Sequence, residues 1–169
     1  VFEDIPMAYD IFDIKSFLTR DGSKLPAYAF RNGSRRKPEL GALLIWSPTG
    51  EFERTGHVAV ITEVLENSVR VVEQNVEHQV WGGLEWARTL PLREDSRGGF
   101  TIECTYGDAH ILGWVMQTAD KTHASRHKRS AKELFKLFSS RVNPVQSEWL
   151  DATDAVNQSY IRSMGGHKT

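Results

Sequence analysis

Two runs rich in β-branched residues, His57 to Val64 and Val69 to Val76, are separated only by Leu65, Glu66, Asn67 and Ser68. So short a connection between two such runs makes a hairpin. Around it the pattern repeats. Gly41 to Trp46 is a short apolar run stopped by Ser47-Pro48-Thr49-Gly50, and Glu85 to Leu92, Gly99 to Thr105 and His110 to Thr118 read as further strands with turn chemistry at Arg97-Gly98-Gly99 and Gly107-Asp108. Ahead of them, Asp4, Pro6 and the spacing Met7, Ile11, Ile14, Leu18 predict a capped helix ending near Asp21-Gly22. A helix followed by an antiparallel meander, without βαβ alternation, is an α+β pattern.

The 169 residues amount to about one domain. With 21 basic and 22 acidic residues the net charge is -1, so no whole-chain field favours nucleic acid or an anionic membrane. The apolar runs are far shorter than the ~20 residues a membrane helix needs, and a soluble, cytoplasmic protein is expected. One cysteine, Cys104, excludes an internal disulfide and fits a reducing compartment. The chain opens at Val1 within an amphipathic segment, as a piece of a longer protein would. From Lys121 to Ser130 the composition turns to Lys, His, Arg and Ser, which predicts a linker over residues 121–130 between a domain at 1–120 and a short helical extension at 131–169. The extension rests on the capping box Ser130-Ala131-Lys132-Glu133 and on the helical spacing from Asp151 to Met164, closed by Gly165-Gly166.

The segment Gly56-His57-Val58-Ala59-Val60 puts a histidine, the side chain that exchanges protons near neutrality, at the mouth of an apolar strand. The partner strand ends Val71-Val72-Glu73-Gln74-Asn75. A general base needs a second group to fix its ring and tautomer, and Glu73 or Asn75 can accept the ring N–H. A three-residue loop, Leu65-Glu66-Asn67 with Asn67 in the left-handed region, brings His57 opposite Asn75 with Glu73 diagonal on the same face. A two-residue loop sends Glu73 and Asn75 to the other face, and the hydrophobic pattern alone does not decide between them.

The other polar features read as structure. Cys104 is expected to be a small buried hydrophobe, and Trp46 and Trp114 core anchors. His78 and His110 lack metal-ligand spacing, so no metal site is assigned. His123, Arg126, His127, Lys128 and Arg129 form a solvated linker cluster. Glu51, Glu53 and Glu77 lie near the histidine end of the hairpin.

A histidine and an acidic or amide residue on adjacent strands, after an earlier helix, is the arrangement of papain-like cysteine hydrolases. The chain resembles the amidase part of the bifunctional glutathionylspermidine synthetase/amidase and trypanothione synthetase family. The resemblance runs through Pro6-Met7-Ala8-Tyr9-Asp10-Ile11-Phe12, Phe30-Arg31-Asn32-Gly33-Ser34, Gly41-Ala42-Leu43-Leu44-Ile45-Trp46, Gly56-His57-Val58-Ala59-Val60, Glu73-Gln74-Asn75-Val76 and Ile111-Leu112-Gly113-Trp114. It also covers Trp149-Leu150-Asp151 and Asn157-Gln158-Ser159-Tyr160. It implies a papain-like Cys-His-Glu amidase splitting the glutathione–spermidine amide bond, in which His57 is the base, Glu73 orients it and Asn75 belongs to the same motif. It further implies no cofactor for this domain, with ATP and Mg²⁺ serving an attached synthetase half, and no nucleic-acid or membrane partner. The family's nucleophilic cysteine matches nothing in the chain and is expected upstream of Val1. Without it the chain is inactive as it stands. The alternative is a non-catalytic module that binds the conjugate or regulates an attached ligase.

Overall fold

The computed structural model describes residues 5–76 and 83–125. Among them the regular structure is β-strand with two short 3₁₀ helices, so the helical half of the α+β expectation is not met there. The helical extension expected over 131–169 and the second half of the expected linker, residues 126–130, lie outside the described residues.

The capped N-terminal helix is corrected to a 3₁₀ helix, Ala8–Asp13, after which Ile14 turns extended. Strands β1 (Ser16–Leu18) and β2 (Lys24–Pro26) then pair antiparallel, with Phe17 opposite Leu25. The physical reason lies in Asp21-Gly22. We read that pair as the end of a helix, but it makes a hairpin turn. Gly22 has φ +83°, Asp21 Oδ1 accepts the Ser23 N–H at 3.0 Å, and the Thr19 N–H donates to the Ser23 carbonyl at 2.9 Å.

The main sheet has seven strands: β3 (Tyr28–Arg31), β4 (Leu43–Trp46), β5 (His57–Val64), β6 (Ser68–Val72), β7 (Arg88–Glu94), β8 (Phe100–Ile102) and β9 (Ile111–Met116). Their order is β3-β9-β4-β5-β6-β7-β8, and the neighbouring pairs are antiparallel. The sheet curls until its two ends meet. Asn32, just past β3, donates Nδ2–H to the Ile102 carbonyl at 2.9 Å and accepts the Ile102 N–H at 2.8 Å. Gly33 N–H reaches the Phe100 carbonyl at 2.7 Å, and Phe100 N–H reaches Ser34 at 2.8 Å. The edge strands therefore satisfy each other, which removes exposed backbone donors and acceptors.

Alternate residues of these strands, Phe30, Leu44, Trp46, Ala59, Ile61, Val69, Val71, Leu90, Leu92, Ile102, Trp114 and Met116, form one core cluster. Trp46 and Trp114 are fully buried, and truncating a buried ring of that size typically costs about 3–5 kcal/mol. The first 3₁₀ helix packs on β4, β5 and β9 and buries Tyr9, Ile11 and Phe12. That cover explains why every residue of β9, and three of the four in β4, is buried despite the strands' alternation.

Candidate active site

Strands β5 and β6 set the register of the site. Near the turn Val64 pairs with Val69 and Glu63 with Arg70, but after a shift between Ile61 and Glu63 the pairs become Ile61 with Val71 and Val60 with Val72. Asn67 is not among the residues in the left-handed region, and the three-residue loop is corrected to the two-residue one, Glu66-Asn67, closed by the Leu65 N–H on the Ser68 carbonyl at 2.8 Å. The bulge restores the same-face relation that the loop was expected to supply. His57 thus continues the inward row Ala59, Ile61, and Glu73 continues the inward row Val69, Val71.

Both side chains are buried, with relative exposures of 9% and 5%, and His57 Nε2 lies 2.8 Å from Glu73 Oε2. Burial alone would raise the Glu73 pKa, but hydrogen bonds from His57 and Arg88 and the Arg88 charge outweigh it and hold the carboxyl below its ordinary value. An ionised carboxylate only accepts, so Nε2 carries the ring hydrogen and the neutral imidazole offers Nδ1 as its lone pair.

Arg88 opens β7 on the inward side, two positions before Leu90. Its Nε donates to Glu73 Oε1 at 2.9 Å and its Nη2 to the same oxygen. The guanidinium carbon lies 3.6 Å from the centroid of the Tyr106 ring, and Tyr106 meets Phe52 edge-on at 5.1 Å. Phe52, from the second 3₁₀ helix Gly50–Phe52, stacks on His57 at 4.4 Å and 14°, while Trp46 packs against both rings, 5.2 Å from His57 and 5.9 Å from Phe52. The contacts form a closed circuit, from His57 to Glu73, Arg88, Tyr106, Phe52 and back. Five separate stretches of chain thereby fix one imidazole.

Gly56 makes the approach to His57 possible. Its φ is +65°, and a Cβ there would sit 2.7 Å from the Trp46 carbonyl oxygen and 2.8 Å from Tyr9 Cβ.

Asn75 stands apart from this circuit. β6 ends at Val72, and Asn75 is exposed with φ +61°, so it does not continue the ladder to face His57. Cys104 follows β8 in a loop and is only partly buried; its Sγ accepts the Trp46 Nε1–H at 3.2 Å and the Tyr106 N–H at 3.4 Å. Glu51 and Glu53 are exposed beside Phe52, and Glu77 lies outside the described residues. No group of His, Cys, Asp and Glu suited to a metal occurs among the described residues.

Sequence reasoning passed over Arg88, Phe52 and Tyr106. Arg88 had a signal, since Arg88, Leu90 and Leu92 alternate and place a cation on an inward row. Phe52 and Tyr106 come from loops without periodicity.

Comparison with known proteins bears on the segment that carries this histidine. Residues 8–75 match the CHAP domain. The CHAP segment contains His57, Glu73 and Asn75 and excludes Arg88. The whole chain is similar to the bifunctional glutathionylspermidine synthetase/amidase of Escherichia coli (strain K12), with 40% identity over 171 residues, covering 98% of this chain and 27% of that protein. It is also similar to the trypanothione synthetase of Crithidia fasciculata, at 28% identity over 181 residues, again 98% of this chain and 27% of the relative. The glutathionylspermidine synthase of the same organism is 33% identical over 100 residues, 57% of this chain and 13% of its own length. The chain thus spans about a quarter of the length of the first two relatives.

Proposed function

We propose that this chain is the amidase part of a bifunctional enzyme that hydrolyses the amide between the glycine carboxyl of glutathione and a spermidine nitrogen. The observation that carries this reading is the 2.8 Å contact between His57 Nε2 and Glu73 Oε2, which leaves Nδ1 as the base. A cysteine from outside this sequence gives its proton to Nδ1 and attacks the amide carbonyl as thiolate. Backbone N–H groups at the start of the nucleophile's helix hold the resulting oxyanion. His57 passes the proton to the leaving spermidine amine as the C–N bond breaks, which leaves a glutathionyl thioester. His57 then takes a proton from water, which attacks the thioester and releases glutathione and thiol. Glu73 remains ionised throughout and stabilises the imidazolium that forms twice per turnover.

Within this reading residues 1–120 are the amidase domain, 121–130 a linker and 131–169 the approach to an ATP- and Mg²⁺-dependent synthetase half, in a cytoplasmic protein. The amidase step itself needs no cofactor. Among the described residues no helix is long and apolar enough to cross a membrane.

The test is incubation of the natural full-length polypeptide with glutathionylspermidine, following free glutathione and spermidine. Release that iodoacetamide abolishes and that survives Cys104→Ser is expected, whereas this chain alone releases nothing. Binding of the conjugate without release by the full-length protein would favour a non-catalytic module instead. Release by this chain that Cys104→Ser abolishes would make Cys104 the nucleophile and overturn its reading as structural.

A further inference from the structure

Glu73 can orient His57 only if its carboxylate is itself held, because a carboxylate swinging about its last torsion would present either oxygen, or neither, to Nε2. The structure holds it through Arg88. Oε2 faces His57 and Oε1 faces two donors of one guanidinium, so each oxygen has a separate assignment. Arg88 in turn has little freedom. Its side chain is 16% exposed, its guanidinium lies on the Tyr106 ring, and Nη1 reaches Thr105 Oγ1 at 3.4 Å. The Val71–Arg88 pairing of β6 and β7 fixes its backbone beside the end of the Glu73 row. Resting on the amidase reading above, we propose that Arg88 is a positioning residue for the hydrolysis, clamping Glu73 Oε1 so that Oε2 stays on His57 Nε2.

The charged and titratable groups around the clamp are His57 on β5, Glu73 after β6, Arg88 on β7, and Tyr106 with Cys104 after β8. Arg88 is the permanent cation of the set. Its removal therefore makes Glu73 easier to protonate, and a protonated Glu73 no longer stabilises the imidazolium. The acidic limb of the rate profile must then move to higher pH. Loss of packing alone would lower activity or stability without moving that limb.

The experiment compares Arg88→Met and Arg88→Lys with wild type in two settings. In the natural full-length polypeptide, R88M is expected to lower kcat for glutathionylspermidine about 10- to 100-fold, the range typical for groups that orient a reacting residue's ligand or base. Its acidic limb moves to higher pH, and R88K, which keeps the charge but loses the planar fork, returns the limb toward wild type. In this chain alone, labelled with ¹⁵N-histidine, wild type should show a downfield, protected His57 Nε2 proton that R88M loses while its amide spectrum stays dispersed. An R88M protein that retains both that proton and the wild-type acidic limb overturns the clamp. If the full-length protein has no amidase activity, the amidase reading fails, and the Nε2 proton still decides whether Arg88 holds Glu73. Should R88M lose its dispersed spectrum, Arg88→Gln takes its place: loss of the protected Nε2 proton with a shifted acidic limb supports the clamp, and retention of both that proton and the wild-type limb overturns it.

Discussion

Glu73 is a buried anion with two partners, and removing it leaves the Arg88 charge without its counter-ion beneath the Tyr106 ring. Breaking a buried pair from one side typically costs about 3–5 kcal/mol. Glu73→Ala should therefore lower the unfolding free energy of this chain by roughly that amount, measured by urea denaturation at neutral pH. The pH dependence has a definite sign. The folded-state pKa of Glu73 lies below its ordinary value of 4.5, so its stabilisation is present above pH 4.5 and is lost as the pH falls through the folded value. Glu73→Gln should flatten that part of the stability profile, and an unchanged acid slope would contradict the pairing. His57 and Glu73 were legible in the sequence because each is a polar residue that ends an apolar alternation. A three-residue loop followed by a continuous β6 sets Asn75 opposite His57, whereas the strand stops at Val72 and the backbone turns left-handed at Asn75. Nothing in the local sequence announces that turn, because Asn is tolerated in both conformations.

The second strand pair and the closure of the sheet carry the lessons at the level of elements. The runs around β4, β5 and β9 were legible, since each is apolar and bounded by turn residues. The spacing Met7, Ile11, Ile14, Leu18 fits a helical stripe, but it spans a 3₁₀ helix and a strand that reach their apolar surroundings separately. β3 went unread because Tyr28–Arg31 is only four residues long and its partner, β9, lies more than eighty positions away. Asn32 is the stitch between sheet ends, pairing both backbone groups of Ile102. Asn32→Ala leaves a buried N–H and carbonyl unpaired and should cost about 2 kcal/mol or more, with the Ile102 amide losing hydrogen-exchange protection. Gly56→Ala meets the Trp46 carbonyl and Tyr9 at distances no Cβ tolerates. A fall in Tm corresponding to about 2 kcal/mol or more is expected, and a variant as stable as wild type would mean that the 3₁₀ helix and β4 can move apart freely.

At the scale of the molecule, a sheet closed on itself gives rigid walls, and His57 and Glu73 stand at the ends of two inward rows of adjacent strands. His57, Glu73 and Arg88 come from β5, the end of β6 and β7, which pair in succession, so their relative positions are set by backbone ladders. Residues 8–75 match the CHAP domain, and 98% of the chain is 40% identical to part of a bifunctional glutathionylspermidine synthetase/amidase. The central claim is that His57 is the base of a glutathionylspermidine amidase. The most direct measurement is made on the natural full-length polypeptide carrying His57→Ala, scoring glutathione release from glutathionylspermidine beside ATP-dependent formation of the conjugate. Release is expected to fall by about 10²-fold or more while formation is unaltered. Release at the wild-type rate from the His57→Ala protein would contradict it.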